Sequence, residues 1–168
     1  MQKTNKLRSM AKSPMKMKMF MLQQLPMGFI AGLRITKIDG KGSIVSVPFK
    51  FVNKNPFKSM YFAVQAMAAE LSSGILALSE VYEAEEPVSM LVLNMKASFT
   101  KKAKTKVNFI CDDGEKIKEA IAKSIATREG QIIDVTSKGI DKEGDIVAEF
   151  VFTWTFKPKQ KSGSVSKG

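Results

Sequence analysis

The stretch Asn55–Leu78, NPFKSMYFAVQAMAAELSSGILAL, constrains the fold more than any other. From Met60 to Leu78 nearly every residue is apolar or small; the polar exceptions are Gln65, Glu70, Ser72 and Ser73. A helix apolar on all its faces must be buried on all of them. The spacing therefore predicts one central helix, N-capped by Ser59 and wrapped by the rest of the chain, with a single carboxylate, Glu70, in its middle. A lone acid on a buried helix needs a partner or a task. Acids at Glu83, Glu85 and Glu86 oppose the dipole of a helix C-terminus and mark a frayed or finished end there.

A chain of 168 residues fits one domain with a real core. Its net charge of +11 admits nucleic acid, an anionic membrane, a phosphorylated ligand or merely a solvated lysine-rich surface. Two scarcities narrow the chemistry. There is no histidine and one cysteine, Cys111. Ser-His-Asp and Cys-His nucleophilic systems, a His/Cys zinc site and an internal disulfide are thereby excluded. Carboxylate, hydroxyl, amide, lysine and backbone N–H remain, and a reduced, cytoplasmic setting is the default. Gln23, Gln24 and Pro26 break the run Phe20–Leu33, which lacks a secretory h-region. Glu70 and Gln65, with the amphipathic strands that follow, favour a buried soluble helix over a transmembrane segment.

Taken in order, residues 1–13 read as a basic flexible arm, 14–157 as a single domain and 158–168 as a disordered basic tail. Ser13-Pro14 opens a short segment to Gln24 whose methionines fit helical spacing and also period two; the helix is favoured because a strand would lack turn signals. Pro26 and Gly28 are expected to end it. A strand is expected over Phe29–Ile38, a turn at Asp39–Gly42, and a second strand with Val45, Val47, Phe49 and Phe51 inward. After the central helix, Val88–Thr100 alternates with Leu91, Leu93, Met95, Ala97 and Phe99 on one face. Thr105–Cys111 alternates again. Glu115–Arg128 reads as a surface helix with Ile117, Ile121 and Ile125 as its stripe, closed by Gly130. A strand ending at Lys138 and a long final strand, Asp145–Phe156, complete an α+β plan.

This pattern resembles the hotdog fold of acyl-CoA thioesterases, an antiparallel sheet wrapped around a long central helix, here with an extra surface helix. It looks most like the phenylacetate-pathway type and its uncharacterised relatives. That type carries an Asn, then His-Gly-Gly opening the helix, then an acid nine residues after the His. Asn55 stands six residues before Tyr61, Tyr61-Phe62-Ala63 occupies the His-Gly-Gly position, and Glu70 falls on the acid. LNMKASFTKKAKTKV and KEGDIVAEFVFTWTF look like the family's later strands. The departures are His to Tyr61, two glycines to Phe62 and Ala63, and the commoner Asp to Glu70.

The resemblance implies thioester hydrolysis, with Glu70 activating water, the Phe62 amide as oxyanion donor and Asn55 orienting water or the carboxylate. It implies a homodimer or a dimer of dimers with the site across the interface, acyl-CoA or an acyl-carrier thioester as substrate, and no cofactor beyond the coenzyme A of the substrate. Tyr61, Gln65, Ser73 and Ser89 are the candidate substrate-binding residues; no metal ligands and no nucleic acid are expected. Each residue has a plainer reading. Glu70 could bond Ser73 or pair with a lysine of the second subunit; Asn55 could serve its turn; Tyr61 could pack or pair with Gln65. Lys101, Lys102, Lys104, Lys157 and Lys159 could meet coenzyme A phosphates or simply solvate a turn and a tail. Two other functions stay open: a non-catalytic hotdog module that binds an acyl-CoA or fatty-acyl ligand, and a basic interaction protein acting through its arms.

Overall fold

The computed structural model describes residues 6–11 and 13–159. Three helices come first: α1 (Lys6–Ala11), α2 (Pro14–Gln24) and α3 (Pro26–Ala31). The hairpin β1 (Arg34–Ile38) and β2 (Ser43–Val47) follows, then a 3-10 turn (Phe51–Asn53) and the long helix α4 (Phe62–Glu83). The chain finishes with β3 (Val88–Phe99), β4 (Val107–Cys111), α5 (Gly114–Thr127), β5 (Gln131–Ile140) and β6 (Ile146–Pro158).

The strands form one six-stranded sheet in the order β1-β2-β4-β5-β6-β3, antiparallel throughout. β6 alternates as expected from Ala148 onward: Ala148, Phe150, Phe152, Trp154 and Phe156 are buried on one face, while Ile146, expected with them, is exposed and Val147 is buried in its place. Enclosing Phe150 or Phe156 contributes about 2–3 kcal/mol each. α4 packs over β2, β4 and β5, with α5 at its side. The architecture is the α+β hotdog, a curved sheet around a long helix with a surface helix added. By length and composition α4 could span a bilayer, but 67% of its apolar window lies buried inside the fold.

The expected hairpin turn forms, with Asp39 Oδ1 accepting from the amides of Lys41 (2.8 Å) and Gly42 (2.9 Å). Several expectations are corrected. Part of the basic arm is structure: Lys6–Ala11 is helical, Leu7 is 2% exposed, and the Arg8 guanidinium pairs with Glu80 of α4. The remainder of that arm, residues 1–5 and 12, lies outside the described residues, as does the tail from 160 onward. Pro26 starts a helix rather than ending one, since its fixed φ suits the first helical position. Phe29 and Ile30 are therefore helical, and Gly32, at φ 80°, turns the chain into β1. β2 stops at Val47, and Phe51 is 87% exposed on the 3-10 turn. The N-cap of α4 is Tyr61 rather than Ser59. α5 ends on Arg128 in the left-handed region (φ 61°) rather than at Gly130.

The strand after α4 also differs in phase. The β3–β6 register slips between Val92 and Asn94. Residues directly opposite each other share a sheet face. Met90 and Val92, opposite Phe156 and Trp154, therefore face inward, as do Met95 and Ala97, opposite Phe152 and Phe150. Leu91, opposite Thr155, faces outward. A strict period of two cannot describe both halves of a bulged strand.

Candidate functional site

α4 is apolar all round, yet one stripe is open. Ala63, Ala66, Met67, Glu70 and Gly74 are only half-buried, while Ala68, Leu71, Ser72, Ile75 and Leu76 are fully enclosed. The open residues recur at i, i+3, i+4 and i+7, one face of a helix. Glu70 stands in the middle of that face.

Its surroundings are built by a glycine and an indole. A Cβ on Gly74 would lie 2.8 Å from Glu70 Oε1 and 3.6 Å from Trp154 Cη2. The carboxylate thus lies along the helix over Gly74, in the lee of the Trp154 ring. Trp154 is pinned there: its Nε1–H donates to Ser73 Oγ (3.1 Å), and the Ser73 hydroxyl donates to the Glu70 backbone carbonyl (3.0 Å). Among the described residues no donor reaches the Glu70 carboxylate and no cation offsets its charge. Burial alone pushes its pKa above the ordinary 4.5. The hydroxyl–carboxylate bond open to Ser73 is not made; that hydroxyl is committed to the helix and to the indole. Gly74 and Trp154 were missed as site residues. The Ser-Ser-Gly after Glu70 hinted at the first, and nothing local could reveal the second.

The other candidates gather at the start of α4. Tyr61 N donates to Asn53 O (2.8 Å), and Tyr61 O accepts the Val64 amide (3.0 Å). Tyr61 caps the helix without a side-chain bond, so the first helical amide, that of Phe62, has no acceptor among the described residues. Such an amide carries the positive end of the dipole. The Tyr61 and Phe62 rings meet edge-on at 5.0 Å and both are exposed. Asn55 organises the loop before them: its Oδ1 accepts from Phe57 N (3.0 Å), Ser59 N (3.2 Å) and Ser59 Oγ (3.2 Å). Gln65 is buried and donates from Nε2 to Met60 O (3.3 Å), not to Tyr61, and its Oε1 has no partner among the described residues. Ser89 is exposed near the start of β3.

One chain does not bring these two groups of residues together. Phe62 and Glu70 are eight positions apart on one helix. At 1.5 Å rise per residue that is about 12 Å along the axis. One carbonyl cannot touch the Phe62 amide and a water on Glu70 of the same chain.

Lys101 is occupied elsewhere. Its ammonium meets Asp145 (2.6 Å), Asp141 (2.9 Å) and Glu143 (3.1 Å), and these three carboxylates raise its pKa well above the usual lysine range. A shallow polar cavity of about 360 Å³ opens between Asp112, Asp113, Thr136, Lys138 and Glu149, where β4 and β5 part. It shares no residue with the surroundings of Glu70. The Cys111 thiol is buried, its pKa pushed up to about 12, and is no nucleophile at neutral pH.

Residues 15–156 match the family described as Domain of unknown function (DUF4442). The chain belongs to this family. No curated protein matches this DUF4442 chain. Solved structures resemble it in fold. A Pseudomonas aeruginosa protein of unknown function named "Probable Thioesterase" is 18% identical, with TM-score 0.71 over 87% of this chain and 97% of its own. A Haemophilus influenzae thioesterase is 12% identical, with TM-score 0.61 over 90% and 94%. A mutant thioesterase of Pseudomonas aeruginosa is 14% identical, with TM-score 0.63 over 86% and 94%.

Proposed function

We propose that this protein hydrolyses an acyl thioester, of coenzyme A or an acyl carrier, at a site completed by a second copy of the chain. The observation that carries the reading is Glu70: a carboxylate on the open stripe of an otherwise enclosed helix, raised in pKa by burial and without a structural partner among the described residues. In a chain without histidine, such a group is the natural general base. The hotdog fold and its solved relatives named as thioesterases support the reaction class.

Glu70 takes a proton from water, and the hydroxide adds to the thioester carbonyl carbon. The oxyanion that forms is held by the Phe62 amide of the second copy, at the positive end of that helix. Collapse breaks the C–S bond, and the thiolate leaves with the proton from Glu70, giving acid and thiol. The separation of about 12 Å within one chain is what calls for two copies. β3 supports such a pairing. It is an edge strand of 12 residues whose inward-facing Met95 and Phe99 are 42% and 49% exposed. A long apolar edge is otherwise an aggregation hazard.

One feature favours a second reading, an acyl-CoA-binding module without turnover. Tyr61 and Phe62 stand, bulky and exposed, where glycines would let a thioester approach the helix amides. A thiol-release assay over acyl-CoAs of graded length, run beside calorimetric binding, separates the two. Hydrolysis is expected, falling about 10²–10⁴-fold in Glu70→Gln with the fold intact. Turnover unchanged by that substitution removes Glu70 as base; binding without thiol release favours the module.

A further inference from the structure

The charge of the chain is not spread evenly. The first 69 residues carry 12 Lys and Arg against one acid, Asp39; the other 99 carry 15 basic and 15 acidic residues. The whole net charge of +11 therefore belongs to the segment that builds α1 to α3, the first hairpin, the 3-10 turn and the entry to α4. Asp39 itself is paired with Lys37 (3.2 Å) at the hairpin tip.

The same segment shows apolar side chains to solvent. Met15, Met19 and Leu22 lie at i, i+4 and i+7 on α2, and Lys18 shares their stripe. Met27 and Ile30 lie one turn apart on α3, which packs against α2. α3 is tied in turn to the 3-10 turn: Lys50 Nζ donates to Ile30 O (2.8 Å) and Asn53 Nδ2 to Ala31 O (2.9 Å). That brings Phe51 beside the end of α3, with the exposed Lys54 and Lys58 following it. The outcome is a surface of exposed methionine, leucine, isoleucine and phenylalanine interleaved with lysine, built by a segment whose one acid is Asp39.

We propose that this face docks on an anionic phospholipid surface. Its apolar side chains would enter the headgroup–acyl boundary while the lysines, whose stems are themselves apolar, reach the lipid phosphates. Charge decides between a bilayer and a second copy. A two-fold contact would set this lysine-bearing face against a second, equally lysine-bearing face, whereas an anionic leaflet supplies the opposite charge along the whole face. The face leads into β1, at the other end of the strand order from β3, and the inference does not depend on the reaction at Glu70. A thioesterase held at a membrane would work where long-chain acyl thioesters partition.

The test is co-sedimentation of the full chain with phosphatidylcholine vesicles, alone or with about one-third phosphatidylglycerol. Binding is expected on the anionic vesicles only, weakening as salt rises from about 0.05 to about 0.5 M. The exposed-site variants Met19→Asp with Ile30→Asp, and Lys16→Glu with Lys18→Glu, should each reduce the bound fraction at limiting lipid by about tenfold or more. No binding to anionic vesicles overturns the proposal. So does binding that both double variants leave intact, which would assign it to the terminal lysines. So does a fall in oligomer mass in Met19→Asp with Ile30→Asp, which would give the face to a second copy.

Discussion

Glu70 sits where burial penalises its charge and, among the described residues, nothing offsets the penalty. The sign of the consequence follows. A carboxyl raised by the fold destabilises it above the raised pKa, where it is ionised in place, and has no such effect below its ordinary value of 4.5, where it is neutral in both states. Glu70→Gln should therefore raise the melting temperature at neutral pH by about a few degrees and leave it unchanged below that value, as read by calorimetry at the two pH values. A carboxylate with a hidden partner would give the opposite sign at neutral pH. Glu70 was legible in the sequence because an acid within an apolar helix is conspicuous. Trp154 was not, because it reaches the site from 81 positions beyond Ser73 and its own strand reads as ordinary alternation. Asn55 shows the converse: its spacing from Tyr61 stood out, while its oxygen serves the loop.

At the level of elements, strands with one buried face could be read directly, and both β2 and β6 repeat their inward residues at period two. What escaped were departures from a single period or a single punctuation rule. The bulge in β3 changes the inward set from even to odd positions, and Pro26, a breaker in the sequence, opens a helix. α1 escaped for another reason. Its sequence, KLRSMA, is short and basic, and its warrant is tertiary: Leu7 enters the core, and Arg8 meets Glu80, a buried acid of α4 whose pKa is nonetheless raised by its burial. Leu7→Ala is expected to lower unfolding free energy by about 2–4 kcal/mol in urea denaturation. A free arm would show no change.

For the whole molecule, the fold class followed from one buried helix and several alternating strands, and the resemblance supplied the wrap. The strand order did not follow from local pattern, since β3 joins the sheet beside β6, the last strand of the chain. β3 is also where one chain looks unfinished, with apolar residues open along an edge. On the proposed pairing and reaction, Met95→Asp together with Phe99→Asp should leave only monomers in sedimentation velocity and abolish thiol release with them. A double variant that stays oligomeric would place the subunit contact elsewhere.

Trp154 has one more consequence. It is the only tryptophan in the chain, and its indole edge lies beside Gly74, the glycine the Glu70 carboxylate also borders. Tryptophan emission from this protein therefore comes from the candidate site itself. Ionisation of Glu70, or arrival of the proposed acyl chain on the open stripe of α4, would occur close to the fluorophore, so that the native protein carries its own optical gauge of the site without a label.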